Sequence, residues 1–378
     1  QPPRARGVTA ERHTVWCKRE DMIVHESDPY NAEPPRDGLH ETLTPADSFY
    51  VRNHGPVPQL DAATWTLEVT GLVAEPARFT LERLREEFAH HTVTATMQCA
   101  GNRREVFLEV RDVPGEDPWG PGATSTARWT GVRLADVLRA VGVQDSAGHV
   151  EFEAPDVSEI ADPPQHYGGS VPLSKALADE VLLAWAMDDA PLPAVHGGPV
   201  RVVVPGWIGA RSVKWVTRVT VRAEPSENYF QATAYRVLEP EADPDAAGPG
   251  DGISLGPVAL NCDILAPEPG QAVGTGEVRI LGYAHAGEDR GVARVDVSAD
   301  GGHSWQAAEL GPEPSPWAWR HWETTVDLAG PGPHTLVARA WDTTGACQPE
   351  SARTLWNPKG YVNNSWARVR VNQAGDQG

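Results

Sequence analysis

EPEADPDAAGPGDG, residues 239–252, breaks the chain in two. The stretch carries no periodic apolar pattern, and proline, glycine, alanine and acids cannot themselves build a core, so it reads as an interdomain linker. At 378 residues the chain also exceeds what one hydrophobic core usually organises. The expectation is one domain over 1–238, a linker over 239–252 and a second domain over 253–378.

Upstream of the linker, strand-like runs such as Thr64 to Val69 (TWTLEV) and Val200 to Val204 (VRVVV) mix with helix-like ones such as Leu81 to Phe88 (LERLREEF) without a regular βαβ rhythm. That pattern predicts a mixed α+β domain. Downstream, short β-rich runs recur at sandwich spacing: Val278 to Tyr283, Ala293 to Ser298, Ser304 to Ala307 and Thr335 to Trp341. Asp300-Gly301-Gly302 supplies a hairpin turn, because glycine accepts the positive φ such turns require. The second domain is expected to be an immunoglobulin-like β-sandwich, which makes the fold class α+β followed by all-β.

The composition, 40% hydrophobic and 22% charged, is that of an ordinary globular chain. No run of about 18 apolar residues exists to span a membrane as a helix. A formal charge of −20 repels nucleic acid and anionic lipid, and suits a basic protein partner. It would also repel a small anionic substrate, so any anion site must be a local cationic pocket. Cys17, Cys99, Cys262 and Cys347 are widely spaced with no C-x-x-C pair, which indicates neither a zinc site nor a disulfide framework. The first residues, QPPRARGVTAERH, lack the apolar core of a secretory signal. Localisation stays open: cytoplasmic as the chain stands, periplasmic if a leader has been removed.

A lone cysteine is usually a small buried hydrophobe. Cys99 differs by its neighbours, since QCAGNRR (Gln98 to Arg104) sets the thiol beside a glycine and two arginines. Nearby positive charge favours the thiolate that ligates soft metals. Arg201 and Lys214 are the right types to hold a phosphate, and Gly206 and Gly209 let backbone N–H groups come close. Read singly, these would be solvated charges beside a buried strand, and His54 and His196 ordinary hydrogen-bonded histidines.

QCAGNRR resembles the molybdenum-ligating segment shared by sulfite oxidases and the molybdenum domain of assimilatory nitrate reductases. FYVRNHGPVP (49–58), STARWTG (125–131), VRVVVPGWIGARSVKW (200–215) and WNPKGYVNNSW (356–366) resemble further blocks of that family in its order, across both domains. The resemblance implies a pyranopterin cofactor, molybdopterin, whose dithiolene holds molybdenum, with Cys99 as the protein ligand. It further implies Tyr50, Asn53, His54, Asp156, His196, Arg201, Ser212, Val213 and Lys214 around the pterin and its phosphate. At the substrate it implies Arg52, Arg104, Trp119, Tyr235 and, in a third cationic position where sulfite oxidases usually carry arginine, Lys359. A lysine is a point charge without the guanidinium fork, so looser sulfite binding is expected there. Nitrate reductases usually carry asparagine where this chain has Tyr235 and an uncharged residue where it has Lys359.

The implied activity is oxidation of sulfite to sulfate by oxygen-atom transfer, with electrons leaving one at a time. Neither a C-x-x-C-H haem attachment nor a readable haem or flavin domain appears, so an external acceptor is expected: a c-type cytochrome on the acidic surface, or molecular oxygen. The sandwich resembles the family's dimerisation domain, which implies a homodimer. The alternatives are an oxidoreductase acting on nitrate or another sulfur oxyanion with the same cofactor, and a cofactor-free scaffold or adhesion protein.

Overall fold

The computed structural model describes residues 15–373 apart from 329 and 331. The stretch read for a leader and the outer ends of both expected domains therefore lie outside the described residues. Among the described residues no helix is long and apolar enough to cross a membrane.

The N-terminal unit is built on two five-stranded sheets. In one, Ala190–Pro191, Leu182–Met187, Thr124–Arg133 and His90–Gln98 lie side by side, with Arg201–Val203 also paired to Leu182–Met187. In the other the order is Ala77–Thr80, Thr66–Gly71, Arg218–Arg222, His149–Ser158 and Gln165–Pro172, with the Thr66–Gly71 and Arg218–Arg222 pair parallel. The helix Leu81–Glu87 starts where Thr80 accepts a hydrogen bond from the Arg83 amide at 3.1 Å, a cap worth about 1 kcal/mol.

The first sheet is buried on both faces, which explains why VRVVV and LLAWAM read as nearly continuous apolar runs instead of alternating. Leu183, Trp185, Val202 and Val204 face the larger core, whereas Leu182, Ala184 and Val203 face a second cluster that contains Phe49, Tyr50, Met97, Trp129 and Cys99. Because side chains alternate along a strand, Arg201 shares the face of Val203. Met97 and the residue two further on, Cys99, likewise fall on that face.

The C-terminal unit is a β-sandwich of a four-stranded and a five-stranded sheet. Cys262, Ile264, Ile280, Trp322 and Val326 from one sheet pack against Val295, Val297, Leu336, Ala338, Val369 and Val371 from the other. The turn at Asp300 has Gly301 at φ +73° and Gly302 at φ +101°. Of the expected strand Ser304 to Ala307 only Gln306–Ala307 forms, because Ser304 closes the turn by donating to Asp300 Oδ2 at 2.6 Å.

The residues read as a linker do not form a free tether. Arg236–Val237 before the loop pairs antiparallel with Ile253–Ser254 after it, and the Arg236 guanidinium donates to the carbonyls of Gly250, Asp251 and Gly252. Residues 253–258, at the start of the expected second domain, also contact the first: Leu255 N donates to Tyr235 O, Val258 N to Gly206 O, and Val258 joins the larger N-terminal core. Late in the chain Tyr361 returns to that same core, and Val362 N donates to Ala100 O at 2.8 Å. The loop carrying Cys99 is thus closed from both units.

Candidate active site

Cys99 is the first residue beyond the strand His90–Gln98, at the start of the turn that leads to the short helix Glu105–Leu108. Its amide donates to Ala123 O at 2.9 Å, and the Gly101 amide donates to its Sγ at 3.4 Å. Arg103 takes φ +63°, a left-handed conformation uncommon outside glycine, which sends its side chain away from the thiol. There it donates to Asp263 Oδ2 at 2.8 Å and to Ser365 O at 2.8 Å, joining the two units.

A cavity opens over Cys99. It is lined by Tyr50, Arg52, Asn53, His54, Asp156, His196, Arg201, Ser212, Lys214 and Tyr235, all expected from the sequence, and also by Met97, Tyr167 and Trp215, which were not. His54 is stacked on Tyr167 at 4.5 Å, and burial drives its ring well below the ordinary range, with Arg52 and Lys214 adding to the effect. A neutral imidazole then lies 2.5 Å from the Tyr235 hydroxyl. Tyr235 itself takes φ +54°, and its ring stacks on Tyr361 at 5.5 Å.

Among the described residues Arg201, Lys214 and Lys18 make their direct contacts with neutral groups. Arg201 is buried, stacked over Trp129, and donates to the carbonyls of His196 and Ser212 at 2.9 Å. Lys214 donates to Val195 O and Asn53 Oδ1, and Lys18 to Phe49 O at 2.8 Å and to His196 Nε2 at 2.6 Å. These partners are neutral. Burial accordingly pulls Lys214 well below its ordinary pKa, Arg201 down to about 10 and Lys18 down to about 7. Buried cations satisfied only by neutral oxygens and nitrogens favour an anion in the space they enclose.

Among the described residues Asp156 is the one carboxylate lining the cavity. Burial lifts it to about 6 against the pull of Lys214, and its Oδ1 has no hydrogen-bond partner. A β-carbon on Gly209 would lie 2.7 Å from the Tyr50 hydroxyl, so glycine there keeps the wall clear. A phosphate-bearing pterin fits this set: cations for the phosphate, an unpaired carboxylate for N–H donors, and one soft sulfur for a metal. Among the described residues no group of three or more His, Cys, Asp or Glu could hold a metal ion, so a metal at Cys99 must bring its own chelator.

The structure corrects several sequence expectations. The Cys99 thiol is raised above its ordinary pKa, because burial outweighs Arg104 and Arg52, and the second motif arginine, Arg103, is spent on Asp263. Val213 points into the core and can offer only its backbone. Trp119 does not line the cavity; it is fully buried behind Tyr50, with ring centroids 6.4 Å apart. Arg104 and Lys359 stand beside the cavity, paired with Glu116, and the Arg104 charge reaches Cys99. A β-carbon on Gly206 would meet Glu288, so that glycine serves the contact between units. Lys18 and Tyr167 carried no local signal; only the fold brings them in.

Lys18 gives a measurable pH dependence. In the unfolded chain it holds its proton to about 10.5, in the folded chain only to about 7, so the unfolded state binds more protons in between and stability rises with pH. Between pH 7 and about 8.5, below most thiol and phenol ionisation, urea unfolding of the cofactor-free protein should show a slope that Lys18→Met reduces by up to about 1.4 kcal/mol per pH unit. An unchanged slope in the variant would refute the assignment.

Comparison with known proteins adds to the geometry. The family described as "Oxidoreductase molybdopterin binding domain" matches residues 54–230, and "Mo-co oxidoreductase dimerisation domain" matches residues 256–374. Mitochondrial sulfite oxidase of Mus musculus is 42% identical over 93% of this chain, and the match spans 65% of that protein's length. Sulfite oxidase of Arabidopsis thaliana is 38% identical over 92% of this chain and 93% of its own. Among solved structures, the sulfane dehydrogenase SoxCD from Paracoccus pantotrophus superimposes with a TM-score of 0.78 at 27% identity, covering 98% of this chain and 96% of that one.

Proposed function

Because the chain belongs to the molybdenum-cofactor oxidoreductases of the sulfite oxidase family, we propose that it oxidises sulfite to sulfate and passes the electrons to an external acceptor. One observation carries this reading: a soft sulfur, Arg52, the Tyr235 phenol and the buried cations Arg201 and Lys214 converge on one cavity.

In this proposal Tyr50, Asn53, His54, Asp156, His196, Arg201, Ser212, Lys214 and the backbone of Val213 hold the pterin, and Cys99 ligates the metal. When bound, the group supplies oxygen-atom transfer and a two-electron redox change. The chain supplies the rest. Loss of the proton from Cys99, opposed by burial, is assisted by Arg52 and Arg104. Arg52, whose Nη1 donates to Asn53 O at 2.5 Å, offers its remaining N–H groups to an oxyanion. With its proton on Nε2, neutral His54 donates to the Tyr235 oxygen, which leaves the phenol proton, held by burial, for a substrate oxygen. The same cations stabilise the charge on sulfate as it forms. Lys359 and Arg104 complete the anion site, and Trp119 backs its wall.

A charge of −20 favours a basic acceptor, for which a c-type cytochrome is the proposed partner, and the sandwich is the proposed homodimer surface. The test is a pair of assays on the purified holoenzyme: sulfite-dependent ferricyanide reduction, and nitrate reduction by reduced viologen. Turnover in the first with background in the second is expected; the reverse would assign the site to nitrate.

A further inference from the structure

Two of the three cations assigned to the substrate already hold an anion. Lys359 Nζ lies 2.5 Å from Glu116 Oε1, and Arg104 Nη2 lies 3.7 Å from Glu116 Oε2. Arg104 has no freedom to turn elsewhere. Its Nε donates to Gly360 O at 3.1 Å and its Nη1 to Asp117 O at 2.9 Å. Gly101 and Gly360, the latter at φ +61°, close on the side chain so tightly that a β-carbon on either would meet it at 2.7 Å. The guanidinium is therefore preset, with its last nitrogen aimed at the carboxylate.

The charge of Glu116 also reaches the inner groups: burial is the main cause that raises Tyr235 and Tyr361, and Glu116 adds to it, as it adds to the acids that raise Arg52. Its side chain is 14% exposed, so water screens the Lys359 and Arg104 contacts only in part. A sulfite or sulfate dianion needs the same donors. A dianion gains more from the three cations Arg52, Arg104 and Lys359 than a monoanion does, and so better offsets the loss of the Glu116 contacts.

We propose that Glu116 is a resident competitor for the substrate's own cations, displaced from Lys359 and Arg104 when the dianion binds and returning as product leaves. It sets specificity by charge, since a monoanion gains less from displacing it. It also speeds release by refilling the donors that sulfate vacates. This inference rests on the proposed sulfite reading, and it concerns a specificity-determining residue that leaves the redox chemistry untouched.

The experiment is calorimetric titration of the oxidised holoenzyme with sulfate, which needs no turnover. Glu116→Gln should tighten sulfate binding about tenfold, the scale of one partly screened charge. Glu116→Asp, which keeps the charge, should bind much as the wild type does. Glu116→Ala should follow Glu116→Gln and guards against a fold defect peculiar to the amide. Steady-state rates with sulfite should show KM falling in Glu116→Gln while kcat holds or drops as sulfate lingers. Unchanged or weaker sulfate affinity in both neutral variants overturns the proposal, the second outcome meaning that Glu116 holds the cations in place for the substrate. Absence of sulfite turnover in the wild type would instead strike the functional reading, a separate result from the sulfate titration.

Discussion

Cys99→Ala is expected to lose more than ~100-fold in sulfite turnover while the protein stays folded, since removing even a residue that supports a metal ligand costs 10–100-fold and this change removes the ligand itself. The structural cost is small. Cys99 is 8% exposed and faces the cavity, and the group it leaves unpaired is the Gly101 amide, which made only a long contact of 3.4 Å to sulfur. Arg201, Lys214 and Asp156 are untouched, so pterin retention should fall much less than activity. Pterin content, molybdenum content and ferricyanide rates measured on one preparation separate the three. Wild-type turnover in this variant would contradict the site assignment.

The second large effect is on stability. Asp263→Ala strips the carboxylate from two arginines at once: Arg103, buried at 2.8 Å, and Arg36 at 3.3 Å. Removing one partner of a buried pair leaves an uncompensated charge and costs about 3–5 kcal/mol. Among the described residues the Arg103 guanidinium then retains the carbonyls of Ser365 and Trp366. Urea unfolding should therefore show a loss of that order, and Asp263→Asn, which keeps hydrogen-bond acceptors, a smaller one. Because Arg103 sits four residues beyond Cys99 on the same turn, activity should decline in Asp263→Ala below the temperature of unfolding. A change under about 1 kcal/mol would mean that the Arg103–Asp263 contact adds nothing net, as surface pairs often do.

What was legible in the sequence shares one property, that the chemistry is written in neighbouring residues. QCAGNRR occupies one turn, and the strand carrying Arg201 with the loop carrying Ser212 and Lys214 is one continuous run. The sandwich was legible because alternation and turn residues are local signals. What was illegible depends on burial, which is decided by tertiary packing. Two arginines beside a thiol imply a lowered pKa only if both face it; Arg103 does not, and the apolar cluster around Cys99 reverses the sign. Lys18 lies 178 positions from His196, so no local pattern could pair them. Glu116 reads as one acid among many in an acidic chain until Lys359 arrives from the other unit. The segment 239–252 lacks core-forming residues, as read, but nothing in it announces that Arg236 gathers its end back.

X-ray absorption at the molybdenum edge on wild type and Cys99→Ser reads the bond from Cys99 to molybdenum itself. The wild-type spectrum should contain one more sulfur scatterer than the pterin dithiolene supplies, and the variant should lose it. Identical sulfur shells in the two proteins, or no molybdenum in the wild type, would contradict the account.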